Sequence, residues 1–295
     1  MAKSGVVAVV GRPSSGKSSL LNAICGHTVS IVSSVPQTTR NSIRGIFSDE
    51  RGQIVFVDTP GFHRSEKKLN LALRDVVEGA LEDIEAVLYV TDLARPAGAE
   101  EEEVIALVES LDAPCVAALN KIDVSEVGAQ TREAYIHAHL PSAQCRRTSA
   151  TTGEGVPELL GTLFELMPDG PALYPEEFYT DQEPRFRISE IIRERAIAHT
   201  RQEIPHSLYV EIADSRMDEK PNGTTRLWVR AFIYVERENQ KGIVVGNRGE
   251  RVRSIRLESE RALRELFPYP IKIDLRVKVH PKWRSKDTLL RRLVH

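Results

Sequence analysis

At 295 residues, with 41% hydrophobic and 28% charged content, the chain is long enough for about two soluble domains, each with its own core. No apolar run approaches the roughly 20 residues that a membrane-spanning helix needs, and the three cysteines, far apart and without a CxxC pair, suggest neither a disulfide framework nor a metal site. The formal net charge of −2 hides a division: residues 1–180 carry 15 Lys+Arg against 25 Asp+Glu, whereas residues 181–295 carry 25 against 17, so a basic half suited to a polyanion follows an acidic one.

In chain order, residues 6–10, 54–57, 86–90 and 115–119 read as strands buried on both faces. Residues 69–83, 99–110 and 156–167 repeat apolar positions every three or four residues, as core-facing helices do. This alternation predicts an α/β domain with a mostly parallel sheet over residues 1–170. The first apolar run is shorter than a secretory h-region and leads into a glycine turn, as expected of a buried strand in a cytoplasmic protein. A proline-rich stretch without period predicts a linker at residues 171–184. Residues 186–200 then read as an amphipathic helix with Ile188, Ile191, Ile192 and Ala196 on one side. "HSLYVEIADS" and "TTRLWVRAFIYVE" read as a hairpin turned by "KPNG". A short helix "GIVV", the tetrad "GNRG", a longer helix to about residue 267 and a strand "IKIDLRVKV" complete an α+β domain over residues 185–295.

The chemistry lies in short motifs. "GRPSSGKSS" fits GxxxxGK[ST]: Gly11, Arg12, Pro13, Ser14, Ser15, Gly16, Lys17, Ser18 and Ser19 follow a strand and open a helix, where backbone N–H groups and the positive helix end cradle phosphates. Lys17 is placed to reach the β- and γ-phosphates, and Ser18 to offer its hydroxyl to Mg²⁺. "DTPG" follows the strand "IVFV", so Asp58 can help hold Mg²⁺ through a water and the Gly61 N–H can meet the γ-phosphate, with Thr59 and Pro60 between them. The polar segment "SSVPQTTRNSI" stands where a γ-phosphate orders a mobile loop; Thr39 is the candidate Mg²⁺ contact and Thr38 the alternative. In "NKID", Asn120, Lys121 and Asp123 sit at the carboxyl edge of the sheet. The Asp123 carboxylate can accept the two N–H donors on the Watson–Crick edge of guanine, which adenine lacks. Ser149 and Ala150 of "TSA" close over the base with backbone amides. GTP with Mg²⁺ is the expected substrate, GDP the product, and Lys17, Thr39 and Gly61 the catalytic groups.

Motif order and the "PQTTR" segment resemble the Era family of the translation-factor-related GTPases, over essentially the whole chain. The resemblance implies a P-loop, Ras-like GTPase domain followed by a type II KH domain that binds small-subunit (16S) ribosomal RNA near its 3′ end during assembly of the 30S subunit. It also implies peripheral association with the inner membrane. KH domains clamp about four nucleotides with a GxxG loop between two helices; "GIVVGNRGERV" supplies Gly246, Asn247, Arg248 and Gly249, followed by Arg251, Arg253 and Arg256. The tail adds Lys282 and Trp283, the latter a stacking surface for a base or a core anchor. No coiled-coil pattern is present, so a monomer is expected, and no DNA partner. The rival reading is a membrane-surface signalling GTPase whose basic end binds anionic lipid, which needs no GxxG loop. A third is a KH protein whose nucleotide domain no longer hydrolyses.

Three departures from the family pattern carry expectations. Many relatives have an asparagine, linked to potassium coordination, where this chain has Ser14; weak or absent potassium stimulation is expected. Phe62 stands where Ras-type proteins place a water-orienting glutamine, predicting slow turnover of about 10⁻⁴ to 10⁻² s⁻¹; His63 is either a base or an exposed bystander. The glycine loop holds one cation, Arg248, in place of the commoner lysine, and RNA binding is expected to persist.

Overall fold

The computed structural model describes residues 2–33, 38–61, 73, 76–77, 79–81, 83–200, 204–219, 223 and 225–293. The chain divides into two compact units, Met1–Asp181 with the residues from Arg291 on, and Gln182–Leu290.

In the first unit, strands β1 (Lys3–Val10), β2 (Ile43–Asp49), β3 (Gly52–Asp58), β4 (Ala86–Asp92), β5 (Cys115–Asn120) and β6 (Gln144–Thr148) form one sheet in the order β2-β3-β1-β4-β5-β6. Among the described strand pairs of this sheet, β2–β3 is antiparallel and the others are parallel. β4 and β5 are buried along their whole length, which is why they read as continuous apolar runs. β2 and β6 are half-buried and carry arginines, so they give no such run.

Helix α1 (Lys17–Cys25) starts after a left-handed Gly16 and stops at a left-handed Gly26, burying Leu20, Leu21 and Ile24 between. α2 (Ala99–Glu109) has three glutamates in its first turn, favourable at a positive helix end, and buries Val104, Ile105 and Val108. α3 (Ala129–His139) was not anticipated: its sequence is polar and it buries only Ala129, Arg132 and Ile136. α4 (Val156–Leu166) buries Leu159, Leu160, Leu163 and Phe164. Much of the helix expected at residues 69–83 lies outside the described residues; Leu73, Val76, Val77, Gly79 and Ala80 are helical.

The proline-rich stretch read as a linker lies along the β2–β3 edge up to Asp181. The buried Gln53 side chain accepts from the backbone N–H groups of Leu173 and Tyr174 (both 2.8 Å) and donates to Tyr174 O (2.9 Å). Ile46 N donates to Tyr179 O at 3.0 Å, and Arg44 pairs with Asp181 at 3.0 Å. This strap supplies partners that the edge strand would otherwise lack.

The second unit runs α5 (Pro184–Ala198), α6 (Ile204–Ser207), β7 (Tyr209–Glu219), β8 (Thr225–Val235), α7 (Glu238–Val245), a 3₁₀ turn (Asn247–Gly249), α8 (Glu250–Leu266) and β9 (Ile271–Val279). The sheet order is β7-β8-β9, antiparallel then parallel. β8 alternates strictly, with Val229, Ala231, Ile233 and Val235 fully buried, and α5 and α8 pack together against the sheet. Within α5, Ile188, Ile191, Ile192 and Ala196 are buried as expected. Residues 220–222 of the hairpin turn lie outside the described residues. Among the described residues no helix is long and apolar enough to cross a membrane.

Candidate functional site

The ends of β1, β3, β4 and β5 converge at one edge of the first sheet, where the strand order reverses around β1 and where ligands of such sheets bind. Register sets Asp58 beside Val9, and Asn120 between Asp92 and Thr148. A cavity of about 400 Å³ opens there, lined by Gly16, Lys17, Ser18, Thr39, Gly61 and Lys121 among others.

Gly16 has φ +98°, and a β-carbon there would lie 2.4 Å from Asn120 Nδ2, so the position admits only glycine. Asn120 binds two loops at once: Nδ2 donates to Ser15 O (3.1 Å) and Oδ1 accepts from Ala150 N (3.2 Å). Lys121 Nζ donates to Asp92 Oδ2 (2.8 Å) and Ser14 O (3.0 Å). Ser149 Oγ donates to Asp123 Oδ1 at 2.6 Å. The GxxxxGK[ST] loop and the NKID and TSA motifs are thus one hydrogen-bonded body.

Lys17 Nζ donates to Gly11 O (2.9 Å) and Arg12 O (3.1 Å). Burial lowers its pKa to about 8, against the opposing pull of Asp58 and Glu101. Ser18 Oγ donates to Asp58 Oδ2 (2.8 Å) and lies 3.0 Å from Thr39 Oγ1, so Thr39 is the threonine brought to this cluster. Ser30, which no motif signalled, also donates to Asp58 Oδ2, at 2.9 Å. Burial raises the Asp58 pKa, and its Oδ1 is buried without a hydrogen-bond partner among the described residues. An orphaned carboxylate oxygen beside two hydroxyls is a hard-oxygen donor set that fits Mg²⁺.

Other residues of the motifs face elsewhere. Thr59 Oγ1 donates to Val9 O (2.8 Å) beneath the loop, beside the buried Pro60. Arg12 is buried and pairs with Glu101 at 3.1 Å while donating to Pro96 O. Arg132 reaches the same fully buried Glu101 at 3.2 Å, and Tyr89 donates its hydroxyl to it. Arg12 therefore supports the loop from behind; nothing in the sequence marked Glu101 as its partner. Ser14, at φ +62°, is exposed at the cavity mouth, whereas Ser15 is buried. Phe62 and His63 lie outside the described residues.

In the second unit, Gly246 (φ +75°, ψ 178°) separates α7 from the turn, and a β-carbon there would meet Arg251 Cβ at 2.7 Å. Asn247 and Arg248 are exposed at the tip, Arg248 in the left-handed region at φ +49°. Arg251 folds back to donate to Ile243 O, and Arg256 pairs with Glu260 at 2.9 Å, so Arg248 and Arg253 are the more outward cations. Lys282 is exposed. Trp283 corrects the stacking expectation: it is fully buried, its Nε1 donates to Ser207 O at 2.7 Å, and its ring meets Tyr209 edge-on at 4.9 Å. It is a core anchor.

Comparison with known proteins accords with both units. A family model described as a 50S ribosome-binding GTPase matches residues 6–121, and a KH domain model matches residues 203–284. The chain is 49% identical to GTPase Era of Treponema denticola, over 98% of this chain and 99% of that protein. It is 40% identical to GTPase Era of Borreliella burgdorferi, over 99% and 100%. Aquifex aeolicus Era, as a variant bound to GDP·AlF4⁻, superposes with TM-score 0.93 at 32% identity, covering 99% of this chain and 98% of that one. A structure of Era with MgGDPNP and nucleotides 1506–1542 of 16S ribosomal RNA gives TM-score 0.93 at 31% identity, covering 99% of each. The chain belongs to the Era family, GTP-hydrolysing enzymes in which a Ras-like GTPase domain is followed by a type II KH domain.

Proposed function

We propose that this GTPase is a nucleotide-controlled binder of small-subunit ribosomal RNA, acting near the 3′ end of 16S RNA in cytoplasmic assembly of the 30S subunit. The nucleotide is handled by residues 1–170 and the RNA by residues 185–295. The observation that carries the switch is the meeting of Ser18, Thr39 and Asp58, because Thr39 comes from a segment outside the phosphate loop. Ser18, Thr39 and Asp58 would hold Mg²⁺, which supplies charge neutralisation on the phosphates.

Lys17 exchanges its two loop carbonyls for the β- and γ-phosphates, and the Gly61 N–H faces the γ-phosphate. Asp123 and the Ala150 N–H select guanine. When the γ-phosphate leaves, Thr39 and Gly61 lose the group that holds them, and the KH domain's access to RNA changes with them. The 16S fragment bound by the related Era supports the RNA assignment, and the exposed Asn247–Arg248 tip between two glycines is the element that would grip the strand. The KH match accounts for the basic second half and leaves the lipid-binding reading without an observation of its own.

The test is binding of a single-stranded oligonucleotide copying the 3′ end of 16S RNA, beside a scrambled control. Preference for the true sequence supports the assignment. Equal, weak binding of both contradicts it.

A further inference from the structure

Away from the nucleotide cavity, Glu133 and His137 of α3 meet Cys145 of β6, and one ligand atom from each lies within 4.8 Å of the others. The spacing of four puts the first two on one helix face. His137 Nε2 is 3.7 Å from Cys145 Sγ, close to the edge of a tetrahedron with bonds of about 2.0 Å to nitrogen and about 2.3 Å to sulfur. We infer that Glu133, His137 and Cys145 form a three-ligand site for a borderline-soft divalent cation of the Zn²⁺ class, its fourth position left to water. Imidazole with thiolate suits that class, whereas the oxygen cluster at Ser18 and Asp58 suits hard Mg²⁺, so the two sites sort their ions by donor type.

The surroundings permit it. The neighbouring cation Arg146 is turned to other partners, Thr162 Oγ1 at 2.8 Å and Cys145 O at 2.9 Å. His137 Nε2 lies 3.1 Å from Ala143 O; coordination through Nε2 moves the ring proton to Nδ1 and replaces that contact. Because the thiolate is the metal ligand, binding releases the Cys145 thiol proton to solvent. The site would clip α3, which follows Asp123, to β6, which ends beside Ser149 and Ala150.

The test is a Co²⁺ titration of reduced, tag-free, full-length protein in the presence of Mg²⁺ and GDP. One equivalent should produce a sulfur-to-cobalt charge-transfer band and the visible bands of four-coordinate cobalt, both removed by Zn²⁺. Cys145→Ser should abolish the charge-transfer band, and Glu133→Gln should weaken Zn²⁺ binding by about 10- to 100-fold or more, while Cys25→Ser changes neither. No band in the unaltered protein, a band that survives Cys145→Ser, or one lost with Cys25→Ser overturns the site.

Discussion

Asn120 Nδ2 donates to Ser15 O across 3.1 Å, joining the last residue of β5 to the phosphate loop. Through the same side chain Ala150 N is held at 3.2 Å, so one amide sets the separation of phosphate-side and base-side groups. Asn120→Ala removes both bonds and strands the buried Ser15 O, costing about 1–3 kcal/mol. GDP affinity, measured with a fluorescent analogue, should fall by at least about tenfold, with the unit still folded by circular dichroism.

Asp123 accepts a hydrogen bond from Ser149 Oγ through Oδ1 and is otherwise exposed. Asp123→Asn replaces one acceptor by a donor, which mismatches guanine and matches xanthine, whose 2-position carries an acceptor. Affinity should shift from GTP towards XTP, and unchanged preference in a competition assay would contradict the base-side assignment.

Lys17 titrates near pH 8 because it is buried. A polyphosphate beside it favours the charged form and raises that value, so binding at about pH 9 should take up protons and binding at about pH 6.5 should take up few at this group. Calorimetry in buffers of different ionisation enthalpy reads the difference. Asp58 runs the other way: its pKa is raised, and Mg²⁺ needs the carboxylate, so Mg²⁺ affinity should fall as pH drops through the raised value.

Ser14 is exposed at the cavity mouth with one hydroxyl to offer. Hydrolysis in K⁺ and in Na⁺ should be nearly equal in the unaltered protein, and Ser14→Asn should gain a preference for K⁺.

Arg248 projects from the glycine turn. Arg248→Ala should weaken RNA binding across sequences and lower the salt slope by about 1, as loss of one phosphate contact does. Trp283→Ala should lower stability by about 3–5 kcal/mol, as the loss of a buried aromatic does.

The elements that sequence displayed were those with a single environment. β4 and β5 are buried on both faces, so their apolar runs are unbroken; α5 shows its buried isoleucines in sequence but also buries the ion pair of Glu190 and Arg193, which an apolar pattern does not display. β2, β6 and α3 bury fewer apolar side chains and mix in arginines and glutamine. Motif residues such as Lys17, Ser18 and Asn120 were legible because phosphate and guanine geometry constrains residue type and spacing together. Ser30 and Glu101 were not, because a lone hydroxyl on Asp58 and a buried carboxylate under Arg12 have no pattern along the chain. For the same reason Cys145 shows nothing until β6 is laid beside α3.

The central claim is that nucleotide state reaches the RNA-binding unit through Thr39. The measurement is RNA affinity for the 16S 3′ sequence with a GTP analogue and with GDP, in the unaltered protein and in Thr39→Ala. The account predicts a nucleotide-dependent difference in the unaltered protein that Thr39→Ala removes. Equal RNA affinity in both nucleotide states of the unaltered protein would contradict it.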